Sequence, residues 1–177
     1  LLVHLGEALV RNGRVEQGRE RGRQGVDLIV ELLGVETTIT SSFRRIGAAV
    51  HLYLGEFVEA ETIYRDVVRI RTSLQGADAI WTLRDRRDLA WAIARQPGRE
   101  AEATALIDAV IVGYEATSPD GRELARALYV RAWLAERAKR YDTARDVLDR
   151  ALVIQRRDLP SEHGERLDSE ALLATMS

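Results

Sequence analysis

The sequence predicts an all-α protein, a solenoid of stacked antiparallel helix pairs that forms one continuous domain. Small residues recur at steps of 42 residues, and a second series of small residues recurs at steps of 41 to 43. The first series is Gly6, Ala48, Ala90, Ala132 and Ala174, and the second is Gly18, Ala60, Ala103 and Ala144. Segments with strand character are nearly absent. Two series that stay in phase over the whole chain indicate a repeat architecture.

Each repeat contains two predicted helices. In the second repeat, apolar residues from Phe43 to Leu54 fall at three- and four-residue spacing, and another stripe from Ile63 to Ile70 follows the turn at Gly55. This spacing is typical of amphipathic helices. A large side chain at the crossing of the two helices would hold them apart, so Ala or Gly is expected there. Because one pair cannot bury its apolar stripe alone, the pairs are expected to stack.

Longer breaks divide the chain into four repeats and part of a fifth. The predicted boundaries are 1–34, 35–76, 77–118, 119–160 and 161–177. The turns inside the repeats are predicted at Asn12-Gly13, Gly55, Pro97-Gly98 and Lys139-Arg140. Ser118 followed by Pro119 predicts a helix start, with the serine as N-cap. Both ends of the chain fall inside predicted helices, so we expect it to be a segment of a longer protein.

These repeats resemble the tetratricopeptide repeat (TPR). The positions that carry the resemblance are Leu5, Gly6, Leu9, Gly13 and Gly18, then Ala48, Gly55, Ala60, Ala90, Gly98, Ala103, Ala132 and Ala144. The period of 42 is longer than the usual repeat of about 34 residues and is similar to the kinesin-light-chain type. Leu159-Pro160-Ser161-Glu162-His163-Gly164 resembles the linker of that type with Gly and Pro exchanged, and Ala151-Leu152-Val153-Ile154 resembles its helix end.

The resemblance implies a right-handed superhelix whose concave groove, lined by the first helix of each repeat, binds peptides. Gly22, Gly25 and Gly47 depart from the family pattern, which has Ala or larger residues there, and so predict a loosely packed first repeat. Repeat arrays of this type in GC-rich bacteria often adjoin kinase, nucleotide-switch or DNA-binding domains. The resemblance thus implies a regulatory or scaffold role.

Composition argues against several classes of function. The chain has 177 residues, with 26 Lys and Arg against 28 Asp and Glu, a net charge of −2 and no Cys. The charge balance argues against bulk binding of nucleic acid or of an anionic membrane. Without Cys the chain has no disulfide, thiolate-bound zinc or thiol nucleophile. Its apolar runs are too short to cross a bilayer, and the expected location is the cytoplasm. Arg is used almost to the exclusion of Lys, which suggests a GC-rich, bacterial genome.

Patterns typical of catalysis and metal binding are missing, so we expect no enzyme activity, cofactor or metal. The three His residues are dispersed; His51 is expected to be a packing residue and His163 to stabilise a turn. The chain has no Gly-rich phosphate loop and no Ser or Thr nucleophile motif. Two pairs of carboxylates that lie among arginines are interpreted as solvated helix faces: Glu59 with Glu61, and Asp85 with Asp88.

The candidate binding residues lie on one face of the first helix in repeats two to four. Arginines and aromatic residues follow spacings of 3, 4 and 4 in the third repeat, and the fourth repeat has the same pattern 42 residues later. The predicted peptide-binding residues are Arg45, Tyr53, Arg84, Arg87, Trp91, Arg95, Arg126, Tyr129, Trp133 and Arg137. Arg pairs with carboxylates, and flat aromatic rings supply apolar contact area at low entropic cost.

The leading prediction is a non-catalytic module that binds a protein or peptide carrying acidic and apolar residues. An alternative is a sensor whose groove closes on a short peptide or a small acidic molecule and controls an attached effector domain. A third possibility is homodimerisation through the apolar repeat ends at Leu1, Leu2, Leu172 and Leu173. Packing remains an alternative explanation for the candidates, with the two tryptophans as core residues, Arg84 paired with Asp88 and the other arginines merely solvated. Nucleic acid is disfavoured by the lack of net positive charge, and a membrane role is disfavoured too.

Overall fold

The computed structural model describes residues 1–119 and 121–176, and within these residues the secondary structure is entirely helical. Helices follow one another at short turns, as the 42-residue period predicts. Their bounds are α1 Leu2–Arg11, α2 Val15–Leu33, α3 Thr38–Leu54, α4 Phe57–Gln75, α5 Ile80–Ala94, α6 Glu100–Thr117, α7 Arg122–Arg137, α8 Tyr141–Asp158 and α9 Gly164–Ala174. Each predicted repeat of the first four contains two of these helices, and the partial fifth contains α9.

The turns inside the repeats need a left-handed backbone at one position. Gly13, Gly55 and Gly98 have φ values of 78°, 80° and 76°. Glycine adopts this conformation without steric cost because it has no Cβ. At the equivalent place in the fourth repeat Lys139 has a φ of 58°. The sequence marked this turn as the exception, and the structure keeps the same backbone conformation there with a residue that disfavours it.

The small residues of both series are buried with one exception, as is expected of positions where helices pack closely. Ala48, Ala60, Ala90, Ala103, Ala132 and Ala144 are fully buried, and Ala174 is the exposed exception. Between α1 and α2 the helices approach so closely that a Cβ on Gly6 would lie 2.6 Å from the carbonyl oxygen of Gly18. Real Cβ contacts do not reach this distance, so glycine is required at that crossing.

The helices group into two compact units, Leu1–Gln96 and Pro97–Ser177. In the first unit, α4 packs against α3 and α5, and its buried face carries Tyr64, Val67 and Ile70. In the second unit, α7 packs against α6 and α8, with Leu128 and Leu148 in the core. Among the described residues, no helix is long and apolar enough to cross a membrane.

Two expectations about the termini of elements are wrong. Ser118 does not begin a helix; it is the C-cap of α6, and α7 starts after Gly121 as N-cap. The predicted break there also includes Asp120, which lies outside the described residues. Leu172, expected to be uncovered, is only 8% exposed because α9 packs against α7 and α8. Leu1 is 98% exposed, as expected.

The interpretation of the carboxylate pairs as solvated faces is also wrong for two of the four residues. Asp85 is fully buried and Glu61 is 7% exposed. Glu61 accepts hydrogen bonds from Gln96 Nε2 at 2.6 Å and from Arg65 Nε at 2.8 Å. Charged neighbours along one helix did not show whether these carboxylates are exposed. Residues outside that helix supply polar partners, and burial of a carboxylate is tolerated when such partners are present.

Candidate binding pocket

The first unit contains a pocket lined by three arginines, which we call the arginine pocket. It has a volume of about 350 Å³ and lies between the start of α3, the end of α4 and the start of α5. Its lining residues are Thr38, Ile39, Ser42, Arg45, Ile46, Arg71, Gln75, Trp81 and Arg84. No carboxylate is among them, so the walls that the structure describes present positive charge and apolar surface together.

Local sequence fixes the α3 wall of this pocket. Thr37 caps α3, and its Oγ1 accepts a hydrogen bond from the backbone N–H of Thr40 at 3.0 Å. The Thr40 hydroxyl in turn donates to the Gly34 carbonyl at 2.7 Å. The first of these hydrogen bonds satisfies one free N–H group of the first turn and the second ties the helix to the preceding loop, so together they hold the helix start in place. The side chains of Ser42 and Arg45, one and two turns further on, are thereby positioned at the pocket.

Arg71 joins α4 to both of the other helices. Its Nη2 donates to Ser42 Oγ at 2.7 Å, and its Nε lies 2.5 Å from Asp85 Oδ2. The Arg71 side chain is only 3% exposed, and that of Asp85 is not exposed at all. The pair therefore forms the buried floor on which the more accessible arginines rest.

Asp85 and Asp88 hold the other two arginines of the pocket. Arg45 Nη1 lies 3.3 Å from Asp88 Oδ2, and the Nε atoms of Arg45 and Arg84 lie 3.9 and 3.8 Å from Asp85 Oδ1. Those two Nε atoms are buried and have no hydrogen-bond acceptor. Burial raises the pKa of Asp85 to about 6, although the arginines oppose this rise. Burial, together with the nearby Arg45, lowers the pKa of Arg84.

Trp81 forms the apolar edge of the pocket. The Arg84 guanidinium lies over its ring, 4.3 Å from the ring centre. The Trp81 residue is 48% exposed and the neighbouring Ile39 is 52% exposed. Stacking of this kind fixes an arginine while leaving its edge free to donate hydrogen bonds.

The structure divides the predicted binding residues of the first unit into three groups. Arg45 and Arg84 line the arginine pocket. Arg87 is 7% exposed and binds Asp88 at 2.6 Å, so it is a buried, paired residue and not part of the pocket wall. The others make cation–π contacts elsewhere: Arg95 over the rings of Phe57 and Trp91 at 4.9 and 5.4 Å, and Arg11 over Tyr53 at 5.7 Å.

In the second unit, the predicted residues are held by partners of their own. Arg126 donates to Glu165 of α9, with Nε 2.9 Å from Oε1, and to Glu123 at 2.8 Å. Arg122 binds the same Glu165 carboxylate at 2.7 Å. Burial of Glu165 is outweighed by these hydrogen bonds, which lower its pKa to about 2.

The aromatic candidates of the second unit are half-buried. Arg137 lies over the ring of Trp133 at 5.0 Å, and Tyr129 is partly covered. Trp91 of the first unit is also half-buried. Trp91 and Trp133 are therefore neither fully exposed nor fully buried.

Sequence reasoning missed Arg71, Trp81 and Ser42 as pocket residues. Arg71 lies on the second helix of its repeat, whereas the search followed the first helices. Trp81 has no counterpart in the next repeat, where the equivalent residue is Glu123. The spacing of Trp81, Arg84, Asp85 and Asp88 by 3, 4 and 7 residues is the signal that identifies this face of α5.

The histidines have structural contacts. His51 Nδ1 lies 2.7 Å from Glu56 Oε2, which agrees with a packing role. His163 caps α9, where its Nδ1 accepts from the Glu165 N–H at 3.2 Å, as a turn-stabilising residue would. Among residues 1–119 and 121–176, no group of His and acidic residues could hold a metal ion.

Comparison with known proteins relates the chain to others by structure alone. No family model matches the sequence, and no curated protein matches it. Solved structures do match, and among them are two crystal structures described as the nearly identical TPR-like repeats of a putative kinesin light chain from Podosopora anserina. The first, a substituted variant, has a TM-score of 0.77, 23% sequence identity, and coverage of 99% of this chain and 82% of its own. The second has a TM-score of 0.75, also 23% identity, with coverage of 99% and 83%. The chain therefore has the TPR-like helical-repeat fold that its 42-residue period predicts.

Proposed function

We propose that the chain is a non-catalytic protein-interaction module that binds an acidic segment of a partner protein in the arginine pocket. The observation that carries this proposal is the lining of the pocket, with three guanidinium groups and no carboxylate. Carboxylates pair with guanidinium groups in short, charge-assisted hydrogen bonds. A partner that supplies Asp or Glu side chains would pair with the exposed parts of the Arg45 and Arg84 guanidinium groups, whose side chains are 23% and 17% exposed.

The pocket edge favours an apolar residue next to the acidic one. Trp81 and Ile39 are each about half exposed beside the arginines. Aromatic and arginine side chains contribute most strongly to binding energy at interfaces, where apolar contacts exclude water around them. The proposed ligand is therefore an acidic segment with an apolar or aromatic side chain close to its carboxylates.

A purely structural role for the arginines is the competing explanation. In that case Arg45, Arg71 and Arg84 would only neutralise Asp85 and Asp88. Three guanidinium groups exceed two carboxylates, and Asp88 is shared with Arg87 as well. Burial also raises the pKa of the Asp85 carboxylate to about 6, so less negative charge opposes the guanidinium groups as the pH falls through that value. The pocket is thus left with positive charge for a ligand.

The test is a peptide-array screen followed by fluorescence-polarisation titration of the peptides that bind. Wild type is compared with Arg84→Gln and Trp81→Ala, and Arg21→Gln on the exposed surface of α2 is the matched control. Arg87 and Arg126 are poor choices for this test, because Arg87 is buried against Asp88 and Arg126 is bound to Glu165.

We expect acidic peptides with an apolar residue to bind wild type and Arg21→Gln alike. Loss of a desolvated arginine or aromatic anchor should weaken binding about tenfold or more. The proposal is overturned if folded wild type binds no acidic peptide, or if Arg84→Gln and Trp81→Ala bind as wild type does.

A further inference from the structure

The first unit contains a second, mainly apolar cavity, which we call the glycine cavity. It has a volume of about 330 Å³, lies between α1, α2, α3 and α4, and does not overlap the arginine pocket. Its walls include Val3, Val26, Val50 and Ile63 together with several glycines, and its charged lining residues are Arg19, Arg23, Arg44, Glu7 and Asp27. Glu7 is already paired with Arg11 at 3.0 Å. Pockets that bind small molecules range from roughly 300 to 1,000 Å³ and are mostly apolar with a few polar groups.

Two glycines keep this cavity open without any steric need for glycine. A Cβ placed on Gly22 of α2 or on Gly47 of α3 would meet no atom within 4 Å. Both residues lie inside helices, where glycine is less stable than alanine. Gly6, Gly18 and Gly25 differ, since a Cβ on any of them would approach the facing helix to within 2.5 to 2.6 Å.

Two arginines of the cavity lining have buried N–H groups that lack an acceptor. Arg44 uses Nη2 to bind Asp66 at 2.6 Å, while its Nη1 is buried without a hydrogen-bond partner. Arg19 binds Glu56 through Nη2, and its Nε is likewise buried without a hydrogen bond, 4.0 Å from Glu16 Oε1. A buried donor without an acceptor is costly. An acceptor brought by a ligand would remove that cost once the guanidinium groups turn toward the cavity, which their side chains, 35% and 21% exposed, already line.

We propose that the glycine cavity binds a small carboxylic acid with an apolar body, its hydrocarbon part against the valines and its carboxylate toward Arg19 and Arg44. The apolar walls account for the body of such a ligand, and the donors without acceptors account for its charge. The two sites share no lining residue, so this proposal does not rest on peptide binding in the arginine pocket.

The test is isothermal titration calorimetry with octanoate and decanoate, each compared with the alcohol of the same chain length. Gly22→Leu and Gly47→Leu fill the cavity from two different helices, so failure of one variant to fold leaves the other. Ala109→Leu adds the same side chain at an exposed site of α6 and is the control. Arg44→Gln removes the charge, while Asp66 keeps its ion pair with Arg69 at 3.1 Å.

We expect saturable binding of the acids by wild type and by Ala109→Leu, and at least about tenfold weaker binding by either leucine variant. Arg44→Gln should bind acid and alcohol with similar affinity, whereas wild type should prefer the acid. No binding of any acid to wild type, unchanged binding by both leucine variants, or equal affinity of wild type for acid and alcohol would each overturn the proposal. Retained acidic-peptide binding by a leucine variant would show that the two sites are separate.

Discussion

Asp85 is a buried acidic residue, and its negative charge is costly to the stability of the first unit. Its carboxylate is fully buried, and Arg71, Arg45 and Arg84 all lie within 4 Å of it. Because burial raises its pKa from 3.8 to about 6, the native state holds the proton more tightly than the unfolded chain does. Stability from this group is therefore complete below about pH 4 and is lost as pH rises through about 6. The arginines limit that loss.

Arg71→Met should destabilise the protein in a pH-dependent way. The substitution leaves the Asp85 carboxylate buried with less compensating charge, which costs about 3 kcal/mol when the carboxylate is ionised. The loss should be near this value at pH 8 and clearly smaller at pH 5, where Asp85 takes up a proton. Urea denaturation at the two pH values measures the difference. Arg69→Met, in the exposed part of the same helix, should change stability little at either pH, and an equal loss from Arg71→Met at both would contradict the account.

Lys139→Gly should stabilise the protein. Lys139 has a φ of 58° at a turn where Gly13, Gly55 and Gly98 stand in the other repeats. Removing the Cβ relieves a conformational cost of about 1 kcal/mol, and the midpoint of thermal unfolding should rise. Gly98→Ala is the reverse experiment and should lower the midpoint. A decrease for Lys139→Gly would show that the side chain makes a stabilising contact that outweighs the backbone strain.

At the scale of elements, the close packing of α1 against α2 requires glycine at some positions of α2 and not at others. A Cβ on Gly18 would lie 2.5 Å from Val10 Cγ2 and 2.6 Å from the Gly6 carbonyl oxygen, whereas a Cβ on Gly22 would meet nothing. The two residues lie one turn apart in the same helix. They therefore have the same backbone environment and opposite packing requirements.

Gly18→Ala and Gly22→Ala should change stability in opposite directions. Gly18→Ala forces the helices apart and should cost about 2 kcal/mol. Gly22→Ala gains helix propensity in open space and should add about 0.5 to 1 kcal/mol. Denaturant unfolding of both variants against wild type measures the pair. Similar losses from both substitutions would mean that the cavity beside Gly22 is not open in solution.

The helices and their turns could be predicted from the sequence because the pattern of one helix pair recurs four times. Repetition located the internal turns and the buried small residues. The loosely packed first repeat, predicted from Gly22, Gly25 and Gly47, is not uniform: a Cβ on Gly22 or Gly47 would meet no atom within 4 Å, whereas a Cβ on Gly25 would lie 2.6 Å from Val3. Repetition could not locate features that occur once. Trp81 and Arg71 have Glu123 and Gly113 as their counterparts 42 residues later, so no periodic signal marked them. Burial of Asp85 depends on the helix facing it, which a pattern along one helix does not contain.

At the scale of the whole molecule, the chain combines the TPR-like fold with two pockets in the first unit. The structural match extends over 99% of the chain, and the first compact unit contains α1 to α5 while the second contains α6 to α9. The arginine pocket and the glycine cavity both lie in the unit Leu1–Gln96. In the second unit, Glu165 already occupies Arg122 and Arg126. A single continuous domain and the control of an attached effector remain predictions.

The most direct measurement is a ¹⁹F NMR titration of chain labelled with 5-fluorotryptophan, using the tightest acidic peptide from the array. The three resonances report on Trp81, Trp91 and Trp133 and are assigned from single Trp→Phe variants. Our account predicts that the Trp81 resonance shifts saturably, that the other two shift less, and that Arg84→Gln weakens the response about tenfold. Saturable binding of the peptide with an unchanged Trp81 resonance would contradict it and place the ligand outside the arginine pocket.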